Sequence, residues 1–230
     1  GCLSERQAIL SAYFRGYSVN RELTIEGRIA LIGLGREQLK TLIPEDCDDA
    51  AHLDENTSTI AGPKDSIEKF ADVLQKQNHF VWVANASNVP FHTRYLKNAG
   101  KELLKNLDNI IQEAKLRSKN WYSTSVVQEE WSQPKAQLCS GSYYVHNLLG
   151  CVYFEETCKV LPPNCVIIGI APMCFLRTSM KTNTPDSLYI PLSLVTLSAM
   201  TSVAVGAISR TEEFSCHCYT DKRVGLEIVI

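Results

Sequence analysis

The side chain best placed to do chemistry is His92, in the run Ser87-Asn88-Val89-Pro90-Phe91-His92-Thr93-Arg94. Before it, Phe80-Val81-Trp82-Val83 is short, β-branched and aromatic and predicts a buried strand; after it an amphipathic helix begins. A histidine where a strand end meets a helix start can face a cleft on a rigid backbone, and an imidazole there takes and returns protons near neutral pH. The bland alternative is a structural histidine with its hydrogen bonds satisfied. Arg15 is the second candidate. At helical spacing it falls beside Ala8, Ala12 and Val19, and a guanidinium on such an apolar face needs an anion, either a protein carboxylate or a ligand, unless it turns to solvent. Cys216-His217-Cys218 is the one tight cluster of metal-ligand types. It lacks the second pair that a zinc site of this kind uses, and no metal site is expected.

These residues need elements to hold them. Ser4 with Gln7 forms a capping box, so residues 5 to 20 read as a helix, and Ala8, Ile9, Leu10, Ala12, Tyr13 and Phe14 wrap enough of it to predict a largely buried one. From Gly27 to Ala86 the pattern is strand, helix, strand, strand, helix, strand. Arg28 to Gly33 alternates as a strand, and Glu37 to Leu42 is a short helix closed by Pro44. Asp49 to Leu53 and Ser58 to Ala61 flank the polar turn Asp54-Glu55-Asn56. Pro63 opens a helix with Ile67, Phe70, Ala71 and Leu74 on one stripe. This β-α-β-β-α-β order predicts a ferredoxin-like unit over residues 27–86, and a free-standing interaction module of that fold would read the same way. The helix after His92 carries a stripe from Leu96 to Ala114 and docks on a core. Trp121 to Thr124 reads as a strand. Asn164 to Ile170 is apolar almost without alternation, as a central parallel strand buried on both faces would be. Strands and helices in alternation predict an α/β class with a doubly wound core.

Val89-Pro90-Phe91-His92-Thr93 resembles the histidine motif of the malonyl/acetyltransferase domain of animal type I fatty acid synthase. The resemblance runs in order through Ala12-Tyr13-Phe14-Arg15-Gly16, Ile60-Ala61-Gly62-Pro63, Trp121-Tyr122-Ser123-Thr124-Ser125, His146-Asn147-Leu148 and Gly169-Ile170-Ala171-Pro172, as far as about Leu192. It implies a doubly wound, α/β-hydrolase-like core over residues 1–26 and 87–200, an inserted ferredoxin-like subdomain over 27–86, and an unassigned tail over 201–230. It implies that His92 is the base and that Asn147 lies in the segment that holds it through backbone carbonyl, although His146 stands for an Asn of the family and Gly150-Cys151 for its Ser-Pro. It also implies that Arg15 grips the malonyl carboxylate and that Phe91 marks the malonyl type. Malonyl-CoA or acetyl-CoA would be substrate and the phosphopantetheine thiol of acyl carrier protein the acceptor, with no tightly bound cofactor and other synthase domains as partners. The family's nucleophile is the Ser of a Gly-His-Ser-x-Gly-Glu elbow, which the resemblance places shortly before Gly1. No copy occurs in the chain, and Gly16-Tyr17-Ser18-Val19-Asn20 lacks the second Gly. The chain therefore reads as an N-terminally truncated transferase domain of fatty acid biosynthesis, with an inactive remnant that binds CoA or carrier protein as the alternative.

Composition narrows the partners. In 230 residues, 23 basic and 25 acidic side chains leave a formal charge of −2, which gives no electrostatic case for nucleic acid or an anionic membrane. The nine Cys are scattered and mostly flanked by apolar residues, which suits reduced thiols in a cytoplasmic protein. The start has no apolar signal region. Leu188 to Ile208 carries no charge and is long enough to cross a bilayer, yet its Pro, Ser and Thr residues favour a strand at its beginning, and a membrane is not expected.

Overall fold

The computed structural model describes residues 2–170, 176–191 and 227–229. Residues cluster into two compact units, Gly1–Thr157 with Ile228–Ile230, and Cys158–Glu227. Cys216-His217-Cys218 and most of the Leu188 to Ile208 stretch lie outside the described residues. Among the described residues no helix is long and apolar enough to cross a membrane.

The larger unit opens with α1 (Glu5–Glu22), whose Ser4–Gln7 capping box forms in both directions and satisfies two of the orphan amides at its start. The expected burial of this helix does not hold: only Ser11, Ser18 and Val19 are buried, while Ile9 is 70% and Tyr13 60% exposed. Among the described residues α1 packs chiefly on one helix, so one face is covered and the stripe through Ile9, Tyr13 and Tyr17 is not.

The next segment comprises β1 (Gly27–Ile32), α2 (Arg36–Leu39), β2 (Asp48–Asp54), β3 (Thr57–Pro63), α3 (Lys64–Lys76) and β4 (Val81–Ala84). Its strands lie in the order β4-β1-β3-β2, each antiparallel to its neighbour, which is the ferredoxin-like arrangement. Pro63 is the N-cap of α3 rather than its first residue, and Ile67, Ala71 and Leu74 turn inward onto Ala30, Ile32, Ile60 and Val81 of the sheet. Each of the larger side chains among them, such as Ile67 and Leu74, contributes about 1.5–3 kcal/mol once buried.

Beyond β4, α4 (Lys97–Ile110) lies against α1. It ends at Ile110, a turn short of the expected Ala114, because Lys115 must already be extended to pair as β5 (Lys115–Leu116). There follow β6 (Trp121–Ser123), α5 (Pro134–Gln137), β7 (Leu138–Cys139), which pairs with β5, α6 (Gly141–Leu149), β8 (Val152–Tyr153) and α7 (Phe154–Cys158). Val19, Leu96, Ala99, Leu103, Leu107 and Leu148 form the core between α1, α4 and α6. Strand β8 joins the far edge of the four-stranded sheet, parallel to β2, with Ala51 opposite Val152 and His52 opposite Tyr153.

In the smaller unit, β9 (Val166–Gly169), α8 (Arg177–Asn183) and β10 (Leu188–Pro191) make one parallel β-α-β unit. Ile167 and Ile190 are buried, whereas Val166 is 40% and Ile168 56% exposed. The expectation of a strand buried on both faces fails here for a physical reason: among the described residues β9 has one strand partner and one covered face. With helices alternating with mixed sheet, the fold is α/β.

Candidate active site

The loop that carries His92 is built to hold a strained backbone. At its start Asn85 Oδ1 accepts from the Asn88 amide at 2.9 Å, and Ala86, Ser87 and Asn88 run in succession through left-handed φ of 45°, 57° and 63°. Arg28 fastens this turn to the sheet by donating to Asn88 Oδ1 at 2.5 Å. Pro90 then lies on Gly27 so closely that a Cβ there would overlap the proline ring. His92 itself has φ 62°, a conformation that costs a residue with a side chain about 1–3 kcal/mol and persists only where neighbours enforce it. The neighbours are identifiable. Thr93 Oγ1 donates back to the Pro90 carbonyl at 2.6 Å, Arg94 gives its amide and Nε to the Asp48 carboxylate at 2.7 Å each, and Tyr95 OH reaches the Asp46 carbonyl at 2.8 Å.

The imidazole is fixed by the end of α6. A helix leaves its last carbonyls without intrahelical partners, and here two at that end are taken by one residue: the His92 amide donates to the Leu148 carbonyl at 3.3 Å, and Nδ1 meets the Gly150 carbonyl at 2.9 Å. A carbonyl only accepts, so Nδ1 carries the proton and Nε2 keeps its lone pair. Burial first, and then the charge of Arg15, hold the His92 pKa down to about 4, against a smaller upward pull from the Gly150 and Asn147 carbonyls. At neutral pH this is a neutral imidazole with a fixed tautomer.

Arg15 approaches from α1. Burial lowers its pKa to about 10, and among the described residues no carboxylate pairs with it. Its Nη1 donates to Asn147 Oδ1 at 2.9 Å, and Asn147 Nδ2 in turn donates to Ser125 Oγ at 2.8 Å. The Ser125 amide donates to Ser123 Oγ at 3.1 Å, which shares a 2.9 Å bond with Tyr143 OH. Asn147 therefore faces Arg15 with its side chain while its backbone faces His92. The sequence reading placed Asn147 at the site but missed Ser123 and Ser125; their i, i+2 spacing after a strand, which puts both on one face, was the signal available. Phe91 is half-buried and packs with Phe14 and Leu23 against the α1–α4–α6 core.

The site can thus accept a proton at His92 Nε2 beside a guanidinium that lacks a counterion.

Comparison with known proteins gives the family and the fold. The sequence model described as the acyl transferase domain matches residues 1–204. A highly reducing polyketide synthase of Stachybotrys chlorohalonatus is 29% identical over 174 residues, 69% of this chain and 7% of that protein. The chain thus spans under a tenth of the length of that relative. The acyltransferase domain of a polyketide synthase of Mycobacterium tuberculosis superposes with a TM-score of 0.74 at 18% identity, covering 83% of this chain and 60% of that one. A malonyl CoA-acyl carrier protein transacylase of Clostridium perfringens does so with a TM-score of 0.70 at 15% identity, covering 93% and 67%. At these identities the structures establish a shared fold.

Proposed function

The chain belongs to the acyl transferase domain family of polyketide and fatty acid synthases, and from that premise we propose that it forms the base- and anchor-bearing part of an enzyme that moves malonyl or acetyl from CoA to acyl carrier protein. In this reading a serine nucleophile attacks the CoA thioester while His92 Nε2 takes its proton. The acyl-serine ester then passes its acyl group to the phosphopantetheine thiol of the carrier. Arg15 receives the malonyl carboxylate, for which a planar fork of two parallel N–H groups is the matching shape. The substrate is a CoA thioester, no cofactor is held, and the setting is the cytoplasm, beside the other domains of a synthase. A role in fatty acid synthesis rests on the run Trp121-Tyr122-Ser123-Thr124-Ser125, which resembles the animal synthases, while Phe91 before the histidine suits malonyl over methylmalonyl.

The observation that carries the reading is the half-buried Arg15 guanidinium, without an acid partner among the described residues, held by Asn147 next to an imidazole with one free nitrogen. The 230 residues hold no Gly-His-Ser-x-Gly-Glu motif, so the anchor is the part of the reading that this chain itself can test. Calorimetric titration with malonyl-CoA and acetyl-CoA tests it. Tighter binding of malonyl-CoA, with the preference lost in Arg15→Ala, is the expected result, and equal affinity of the two thioesters for the unaltered chain would overturn the assignment.

A further inference from the structure

Besides His92 and Arg15, four ionisable side chains meet where β2 runs beside β8, one of them, Cys151, next in the chain to the Gly150 that holds His92. His52 is 1% exposed, and its two ring nitrogens each face a carboxylate oxygen at 2.7 Å, Nδ1 that of Glu156 and Nε2 that of Asp49. Cys151, immediately before β8, brings its sulfur into the same group. One ligand atom each from Asp49, His52 and Cys151 lies within 4.8 Å of the others.

Regular strand geometry would not assemble this set. Residues three apart on a strand point to opposite faces. A register shift between Asp49 and Ala51 takes Ala50 out of the ladder, and this bulge returns Asp49 and His52 to the same side. Such a bulge is a device for re-aiming a side chain, and here it aims a carboxylate at an imidazole. The parallel pairing of Ala51 with Val152 and of His52 with Tyr153 then fixes Cys151 against both.

The charges do not close within the cluster. Asp49 Oδ1 and Glu156 Oε2 are buried and have no hydrogen-bond partner. A buried carboxylate oxygen without a donor is costly, and among the described residues the cations facing the two acids and the thiol are the His52 ring and Arg36, whose Nε lies 3.8 Å from Asp49 Oδ2.

We propose that Asp49, His52 and Cys151 form a binding site for a divalent cation of the zinc class, with Glu156 holding the imidazole and solvent completing the coordination. The donor set is the argument for zinc: one oxygen, one nitrogen and one sulfur suit a borderline-soft ion, where calcium or magnesium takes oxygen alone. Glu156 on Nδ1 is the orienting carboxylate that a metal-binding histidine characteristically has. On binding, Nε2 and the thiol each release a proton to solvent, and Asp49 exchanges its bond to Nε2 for a bond to the metal. Zinc bond lengths of about 2.0–2.3 Å require the three donors to draw in by roughly an ångström. Side-chain rotation of Asp49, which is 27% exposed, is free to supply much of it. The ligands come from two places in the chain, Asp49 and His52 on β2 and Cys151 about a hundred residues later, so no ligand spacing announces the site in the sequence.

The test is titration of the 230-residue chain with Co2+ as a spectroscopic probe and with Zn2+ by calorimetry. One equivalent should bind and give a thiolate-to-cobalt charge-transfer band. Cys151→Ser should abolish the band and weaken Zn2+ at least tenfold, and His52→Gln should also weaken it at least tenfold. The double variant Cys216→Ala/Cys218→Ala should keep both signals. Since the variants in the cluster disturb packing, a measurement on the unaltered chain stands beside them: Zn2+ should protect Cys151, and not Cys2, from alkylation, read by peptide mass. No binding by the unaltered chain, a band that survives Cys151→Ser, or alkylation of Cys151 unaffected by Zn2+ would each overturn the proposal.

Discussion

Arg15 donates to the side-chain oxygen of Asn147 at 2.9 Å, and the amide nitrogen of the same Asn147 is spent on Ser125. The asparagine cannot turn without losing both bonds, so it aims the guanidinium rather than merely touching it. A hydrogen bond to a charged group contributes about 1.5–3 kcal/mol. Asn147→Ala should therefore weaken malonyl-CoA binding roughly tenfold or more, and Ser125→Ala should do so to a smaller extent. Acetyl-CoA, which has no carboxylate for Arg15, should be nearly indifferent to either change. Calorimetry on the two thioesters checks this, and parallel losses with both would show that the bonds serve only to hold the fold.

The state of His92 gives a prediction about pH. An unfolded histidine titrates near 6.5, and in the fold burial and Arg15 hold the value down to about 4. Between those two values the unfolded chain binds more protons than the folded one. The contribution of His92 to stability is accordingly intact above about pH 6.5 and is lost progressively as pH falls toward about 4. Its ring resonances should stay at their neutral positions across most of the range from pH 8 to about 5, in which an ordinary histidine titrates. In the acylating enzyme, His92→Ala should lower turnover by about 10²–10⁴, the usual contribution of a positioned base.

What the sequence made legible, and what it hid, follows from the range of the interactions. The segment from Gly27 to Ala84 was readable because each of its elements is punctuated locally, by Pro44, by Asp54-Glu55-Asn56 and by Gly62-Pro63, and because the stripe of α3 has one meaning. Burial of α1 was misread because its apolar residues circle the helix, and periodicity then says nothing about how many partners it has. The spacing of Arg15 and His92 left a surface arginine and a structural histidine open, and the resemblance to the transferase family was what singled them out. The bond from Arg15 to Asn147 could not be inferred, since it spans 132 positions and depends on how α1 and α6 lie on α4. The bulge in β2 was invisible for a similar reason: it is enforced by pairing with β3, not by a glycine.

Two glycines separate the cost of a side chain in a tight place from its benefit in an open one. A Cβ on Gly27 would overlap the ring of Pro90, two residues before His92. Gly27→Ala should cost about 1–3 kcal/mol of stability, as overpacking does, and shift the His92 resonances. Gly16, inside α1, has nothing within 4 Å of the place its Cβ would occupy. Gly16→Ala should stabilise the chain by about 0.5–1 kcal/mol, the difference in helix propensity. Urea denaturation of the two variants measures both, and a loss in Gly16→Ala equal to that in Gly27→Ala would mean that backbone freedom, rather than space, governs these positions.

Residues 1 to 230 should acquire no stable acyl group from malonyl-CoA. Acyl transfer of this kind passes through an ester on a serine activated by the base. In a comparable hydrolase, loss of the nucleophile lowers turnover by roughly 10⁶. The nearest thing to an elbow in the chain is Gly16-Tyr17-Ser18, but Ser18 is fully buried on the covered side of α1, where no thioester could reach its hydroxyl. Thiols are poor substitutes. Burial is the first cause that raises the pKa of Cys47, to about 12, and that of Cys139, so little thiolate exists at neutral pH in either. His92 Nε2 could at most activate water, which would hydrolyse the thioester slowly and leave no mark on the protein. Intact-mass measurement after incubation with labelled malonyl-CoA decides the matter. An adduct of malonyl mass that survives denaturation would place a nucleophile within these residues, and the peptide that carries it would show which side chain His92 serves.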